Sequence, residues 1–311
     1  MRQMAAIDIG SNALRLVIGN VDSHNEIHIT KKFREPVRLG HDVFSQGFIG
    51  KKTTALAIES FARFRRIIDQ NSVTHTKAIA TSALREAKNR SEFIEEVQKK
   101  TGILIQCIDG AEEARLIFRA IDQKLKLQSK NSIIIDIGGG SVEVIISIDG
   151  RVRGIQSFKL GTVRLLQMMQ ERQIKEKNIH AFLNEKLVEV KQFITDTVKT
   201  RKIDLCIGTG GNFECLGKLR VALLNKTSIY SMTAFELEEL QIHLMGMTIK
   251  ERIQFLRIKA DRADVIVPAS LLGLMIMRFA KCELLSVPYV GLRDGVLLNL
   301  SESLKLSKVQ A

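Results

Sequence analysis

The chain has no tryptophan, two tyrosines, three prolines and four cysteines in 311 residues. Each shortage removes a class of protein. With only Tyr230 and Tyr289 beside the phenylalanines, it lacks the aromatic cluster on which single-stranded nucleic-acid modules stack bases, so no nucleic-acid partner is expected. Three prolines and no low-complexity tract argue against long disordered linkers. Cys107, Cys206, Cys215 and Cys282 are scattered and form no C-x-x-C pair. They read as buried thiols of a reducing compartment, not as a disulfide framework or a zinc site. The longest apolar run, near Val265–Met277, is too short to span a bilayer and is interrupted by Pro268. Asp8 follows only a short apolar stretch, which argues against a signal peptide. The expectation is a soluble cytoplasmic protein with no membrane partner.

Basic residues are plentiful: 47 Lys and Arg stand against 34 Asp and Glu, a formal net charge of +13. Two readings stay open. Lysines such as Lys175, Lys177, Lys186 and Lys191 simply solvate helix faces, or the excess serves a polyanionic partner.

The chain also says nearly the same thing twice. Residues 5–18 read AAIDIGSNALRLVI and residues 133–146 read IIIDIGGGSVEVII. Asp8 matches Asp136, Gly10 matches Gly138, and Val17-Ile18 matches Ile145-Ile146. Each copy is an apolar run, an Asp, a glycine-rich turn and a second apolar run: a β-hairpin whose turn exposes backbone N–H groups beside a carboxylate. Strand–helix alternation follows each copy, which predicts a duplicated α/β architecture with two half-structures facing each other across a cleft. The boundary is expected at 124/125, giving domains over 1–124 and 125–311, with a last helix at about 295–311 free to pack back on the first. Helices are expected from Lys52, over 178–199 as one long amphipathic element, and from Ala263 to Ala280. Asp109–Glu112 and Thr233–Glu236 have capping-box spacing. RLGHDVFSQGFI reads as a loop, and KIDLCIGTGGN as a strand ending in a further glycine turn.

Several residues carry chemistry. Gly138, Gly139 and Gly140 allow close backbone approach to a ligand and positive φ; a tight turn alone needs fewer glycines. The repeat at Gly10, Ser11 and Asn12 weights the choice toward phosphate binding. GTGGNFECLGK is neither a Walker A loop nor a dinucleotide fingerprint. Asp136 and Glu143 flank the second turn, where a hairpin brings them together and both can reach one Mg²⁺. Arg15 holds the position of Glu143 in the first copy, opposite no acid of its own, and reads as an anion clamp. Glu112 is explained by the capping box. Glu113 is not, and favourable placement in a first helical turn competes with a general-base role. Arg85 is either an ordinary surface arginine or a phosphate fork. The pair His41-Asp42 lacks further histidines at ligand spacing and is not read as a metal site.

Taken together, AAIDIGSNALRLVI, IATSALREA, IDGAEEARLIF, IDIGGGSVEVI, KLGTVRL, GTGGN, DRADVIVPA and GLRDGVL resemble, in order and over about residues 4–300, the exopolyphosphatase/guanosine pentaphosphate phosphatase (Ppx/GppA) family. The resemblance implies two ribonuclease-H-like domains of the actin, sugar-kinase and heat-shock-chaperone superfamily flanking a cleft, in a short form without a further C-terminal helical domain. It implies Glu113 as catalytic base, and Asp136 and Glu143, with Asp8 as a further candidate, as ligands of Mg²⁺ or Mn²⁺. Arg85 and Arg15, and the turns at Gly10, Ser11 and Asn12, at Gly138, Gly139, Gly140 and Ser141, and at Thr209, Gly210 and Gly211, are implied as phosphate contacts. The expected activity is hydrolysis of terminal phosphoanhydrides of inorganic polyphosphate. A guanosine pentaphosphate phosphohydrolase, and a non-catalytic sensor of guanosine tetra- or pentaphosphate, are the alternatives. A homodimer is the family-level expectation.

Overall fold

A computed structural model describes residues 3–309, with side chains through Lys305. The chain divides into two compact units, residues 1–123 with 291–311, and residues 124–290. The final helix thus groups with the first unit, and the division falls at 123/124.

The first unit contains strands β1 (Met4–Ile9), β2 (Leu14–Val21), β3 (Ile27–Glu35), β4 (His75–Ala80) and β5 (Ile105–Cys107). They form one sheet in the order β3-β2-β1-β4-β5, with β2 antiparallel to β1 and with β4 and β5 parallel to it. Strand β1 is buried along its whole length, as befits the centre of a sheet covered on both faces. Its helices are α1 (Leu39–Gln46), α2 (Lys51–Gln70), α3 (Ser82–Glu86), α4 (Arg90–Thr101), α5 (Gly110–Leu125) and α14 (Leu292–Val309). Helix α2 buries Ala57, Phe61, Phe64 and Ile68, a stripe at helical spacing, into the core with β1 and β2.

The second unit repeats the plan. Strands β6 (Ser132–Ile137), β7 (Val142–Ile148), β8 (Arg151–Phe158), β9 (Leu205–Thr209), β10 (Ser231–Thr233) and β11 (Leu284–Ser286) run in the order β8-β7-β6-β9-β11-β10. Pairing follows the repeat residue for residue. Met4↔Gly19 through Ile9↔Leu14 in the first hairpin become Ser132↔Ser147 through Ile137↔Val142 in the second. Even the β-bulge recurs, between Ile18 and Gly19 and between Ile146 and Ser147. Helices α6 (Thr162–Glu171), α7 (Ile179–Lys186), α8 (Val188–Val198), α9 (Gly211–Leu224), α10 (Ala234–Met245), α11 (Ile249–Gln254), α12 (Ala260–Ala263) and α13 (Ile266–Phe279) complete the unit. Helix α13 is buried from Ile266 to Met277 and forms the middle of this unit's core. Among the described residues no helix is long and apolar enough to cross a membrane.

Three local expectations are corrected. RLGHDVFSQGFI contains helix α1, so His41 and Asp42 are helical. The span 178–199 is two helices broken at Leu187, preceded by a short 3-10 turn over Glu176–Asn178. GTGGN closes β9 but opens helix α9 at Gly211.

The Thr233–Glu236 box is complete, with Glu236 accepting the Thr233 N–H at 2.9 Å and Thr233 Oγ1 accepting the Glu236 N–H at 3.1 Å. The same carboxylate takes a two-pronged fork from Arg220 of α9, each bond 2.8 Å. The Arg220 bonds, with the Thr233 amide, hold the Glu236 carboxyl down at about 2. A carboxyl depressed in the fold stabilises it above its unfolded value near 4.5, and that contribution, on the order of 3 kcal/mol, is lost as pH falls toward 2. Urea unfolding of the parent chain and Glu236→Gln should therefore differ at pH 6 and converge between pH 4.5 and 2.

Candidate active site

In both units the conspicuous residues lie at or just beyond the carboxyl ends of the parallel strands, where α/β sheets place their ligand sites. In the first unit these are the turn after β1, the Thr81–Arg85 segment after β4 and the Asp109–Glu113 segment after β5.

Glu113 stands in the first turn of α5 and falls on that helix's buried stripe with Leu116, Ile117, Ala120 and Ile121. An apolar residue would normally hold such a position. The Glu113 carboxylate Oε2 lies 3.8 Å from Arg85 Nη1, and that same nitrogen donates to the Ile108 carbonyl at 2.5 Å. Arg85 is thus tied to the β5–α5 connection instead of ranging free on the surface. Asp109 caps the helix start, its Oδ1 accepting the Glu112 N–H at 2.8 Å.

The two hairpins differ in the row of residues that crosses each sheet. In the second unit Asp136 of β6 faces Glu143 of β7, with Thr209 and Ser157 on either side in the neighbouring strands. The two carboxylates come within 4.8 Å of each other, Glu143 is 1% exposed, and Ser157 Oγ donates to Glu143 Oε1 at 2.7 Å. Like charges directly opposite on a sheet repel, and burial strengthens the repulsion. In the first unit the facing pair is Asp8 and Arg15, ion-paired at 2.9 Å. The expectation that Arg15 stands opposite no acid is therefore wrong, because its partner is the acid of its own copy. The same contact answers the charge of Asp8, which joins no ligand cluster among the described residues.

The glycine turns are set by their carbonyls. In the second unit the N–H groups of Thr162, Val163 and Arg164, at the start of α6, donate to Gly138 O and Gly139 O at 2.8–3.1 Å. Arg164 Nε donates to Gly140 O and Asn212 Nδ2 to Ile137 O, both at 2.9 Å. None of these bonds uses the N–H of Gly139, Gly140 or Ser141, so these amides remain available to an anion. The first unit repeats the device, with Arg38 and Gly40 donating to Asn12 O and Ser11 O at the start of α1, while Ser11 Oγ meets Ser82 Oγ at 3.0 Å. None of Gly10, Gly138, Gly139 and Gly140 has a positive φ, which corrects that part of the expectation. Close approach is sharpest at Gly161, against the turn: a Cβ there would stand 2.3 Å from Gly140 N and 2.4 Å from Gly139 C. Positive φ belongs to Gly210, at 84°, where a Cβ would come 2.5 Å from Asp136 Oδ1. Thr209 Oγ1 donates to Val290 O and so holds the end of β9.

Sequence reasoning missed Arg164, Asn212, Ser157 and Ser82. The Leu-Gly pairs 39–40 and 160–161, which extend the repeat to the helices gripping each turn, were the available signal. A further grouping, Asp22, Glu26 and His28, lies at the β2–β3 turn, where Asp22 is spent on loop amides and on His28 at 3.0 Å.

Two units of this strand order, each with an acid and a glycine turn at the carboxyl ends of its parallel strands, define an α/β protein of the ribonuclease-H-like class. The sequence profile of the Ppx/GppA phosphatase family matches residues 17–304. The chain belongs to that family. It is 28% identical over 307 residues to exopolyphosphatase 1 of Mycobacterium tuberculosis, covering 97% of this chain and 89% of that one. It is 25% identical to the guanosine-5'-triphosphate,3'-diphosphate pyrophosphatase of Vibrio vulnificus, covering 99% of this chain but 61% of that protein. The crystal structure of an exopolyphosphatase from Cytophaga hutchinsonii superposes with a TM-score of 0.86 at 28% identity, covering 97% and 98% of the two chains.

The packing of Gly161 against the turn gives a direct check. Gly161→Ala should destabilise the chain by about 1–3 kcal/mol in urea unfolding, since backbone cannot yield to the added methyl. Gly246→Ala, whose Cβ would meet nothing nearer than 3.5 Å, should stay within about 0.5 kcal/mol of the parent.

Proposed function

We propose that the chain is an exopolyphosphatase: it hydrolyses the terminal phosphoanhydride of inorganic polyphosphate and releases orthophosphate. The observation that carries this reading is the pair Asp136 and Glu143, facing each other across β6 and β7 with Glu143 buried and Asp136 half-buried. Two opposed carboxylates offer only oxygen donors, a set suited to a hard divalent cation, and their mutual repulsion is relieved by one. Asp136 and Glu143 would hold Mg²⁺ or Mn²⁺. Such an ion, when bound, neutralises charge on phosphate oxygens.

The remaining work falls to the chain's own groups. The amides of the turns at 138–141 and 10–12, and those opening α9 at Gly210 and Gly211, donate to phosphate oxygens. Arg85 and Arg15 add positive charge, each already steadied by a carboxylate. Glu113 accepts the proton of the attacking water at its carboxylate, and Arg85 fixes that carboxylate's orientation. The preference for polyphosphate rests on the 89% span of the exopolyphosphatase relative, against 61% of the guanosine-nucleotide one. It also rests on the +13 charge, because many weak contacts to a long polyanion add.

Phosphate release should be measured from polyphosphate and from guanosine pentaphosphate, with and without Mg²⁺. Glu113→Gln should lower kcat on the preferred substrate by about a hundredfold or more with little change in KM. A fully active Glu113→Gln removes this residue from the reaction, and binding of guanosine tetraphosphate with no turnover of either substrate replaces the enzyme reading with a sensor. KM for long polyphosphate should climb steeply with salt; a flat KM, with turnover of guanosine pentaphosphate, points to the compact nucleotide instead.

A further inference from the structure

The second unit holds a cavity of about 340 Å³ where helices α8 and α13 end and the chain runs toward β9. Four of its lining residues are cations, Lys199, Arg201, Lys202 and Lys281, set around a partly apolar wall that includes Val198 and Phe279. No carboxylate lines it, and among the described residues none of the four cations is ion-paired. The plainest explanation is that basic residues complement helix C-termini. Each helix end carries about half a negative charge, so two ends account for about one of four positive charges. Roughly three remain uncompensated.

The backbone adds an independent observation. Lys199 sits at φ 55° and ψ −122°, and Lys281 at φ 52°. Both follow a helix C-terminus, where glycine takes such a position at least cost, yet both hold lysine. The cavity is also well separated from the phosphate-facing turns. Ile203 precedes β9 and Gly210 follows it, so the length of an extended segment, on the order of 20 Å, lies between the two places.

We propose that this cavity is a second anion site, separate from the glycine turns, and that it takes an oligophosphate of about three linked phosphates. A single orthophosphate, with a charge near −2, would leave the site under-neutralised. A linear triphosphate, with a charge of about −4, supplies enough charge to cover the surplus, and the volume falls within the usual range for small-ligand pockets. The oligophosphate has two sources, the distal part of a long polyphosphate or the phosphates of a nucleotide.

The test uses the full chain in metal-free buffer, titrated calorimetrically with inorganic tripolyphosphate. The variant combines Lys199→Gly, Lys281→Gly, Arg201→Gln and Lys202→Gln. The two glycine changes remove charge while relieving the left-handed backbone, so the fold is retained, and an unchanged thermal transition checks this. The parent should show a binding event that weakens at least tenfold in the variant. Equal stoichiometry and affinity in the two proteins overturns the proposal. Competition identifies the source: displacement of that event by long-chain polyphosphate, with a raised KM for it in the variant, assigns the polymer, and displacement by ATP alone assigns a nucleotide. Displacement by neither overturns the oligophosphate assignment. Binding is read without turnover, so this result is independent of the hydrolase reading.

Discussion

Two carboxylates opposite each other on a buried sheet are a standing electrostatic problem. Asp136 and Glu143 are paired in register, Glu143 is almost wholly enclosed, and the Ser157 hydroxyl that donates to it carries no charge. An apolar pair would stabilise β6 and β7 better, since every other position between Ile133 and Ile146 on these strands is apolar. The surroundings are arranged around this pair. Thr209 flanks Asp136 in the sheet, Gly210 is left bare where a side chain would strike its carboxylate, and the 138–141 turn is pinned from behind so that its amides face away from the bonds that hold it. A divalent cation would resolve the conflict, which is why the sheet's least comfortable row is also its most informative.

The repeat made much of this readable beforehand. A constant offset between two apolar–Asp–Gly segments implied equal registers, and the pairing and the bulge both follow it. Asp136 and Glu143 were legible because acids interrupt runs of Ile and Val. Glu113 was legible in part: the capping pattern accounted for Glu112 and left its neighbour unexplained, and the helical spacing of Leu116, Ile117, Ala120 and Ile121 would have put it on the core stripe. Other features depend on contacts that sequence separation hides. Ser157 reaches Glu143 only after the bulge resets the β7–β8 register, and Asn212 reaches the end of β6 from a different element. Helix α1 escaped because Gly40, His41 and Ser45 have weak helix propensity, and its place is set by the Gly40 N–H on Ser11 O. The break at Leu187 escaped because the apolar spacing continues across it: Phe182, Leu183, Leu187, Val190 and Ile194 are all buried.

The two turns show how a fold can leave backbone amides unspent without a dedicated motif. Peptide dipoles are fixed by whatever accepts or donates on the other side. When the N-terminus of a helix donates to the turn's carbonyls, the turn's own amides point the other way and need no further partner inside the protein. Arg164 extends the grip by one residue and carries a charge into the same shell. This explains why a glycine, Gly161, is needed on the gripping helix as well as in the turn: the bonds form only if the two backbones nearly touch.

The copies share a scaffold, and their facing positions differ in charge at one place, Arg15 against Glu143. That single difference reverses the electrostatics. Asp8 with Arg15 is an ion pair whose net charge is zero. Asp136 faces Glu143, acid against acid, and such a pair would repel a phosphate unless a cation intervened. Two identical copies would fail in opposite ways: two arginine copies would bind phosphate tightly with nothing to hold a metal, and two acidic copies would hold metal with less to steady the anion. Duplication supplied the backbone geometry twice, and the divergence of one strand position gave each copy a separate charge to manage.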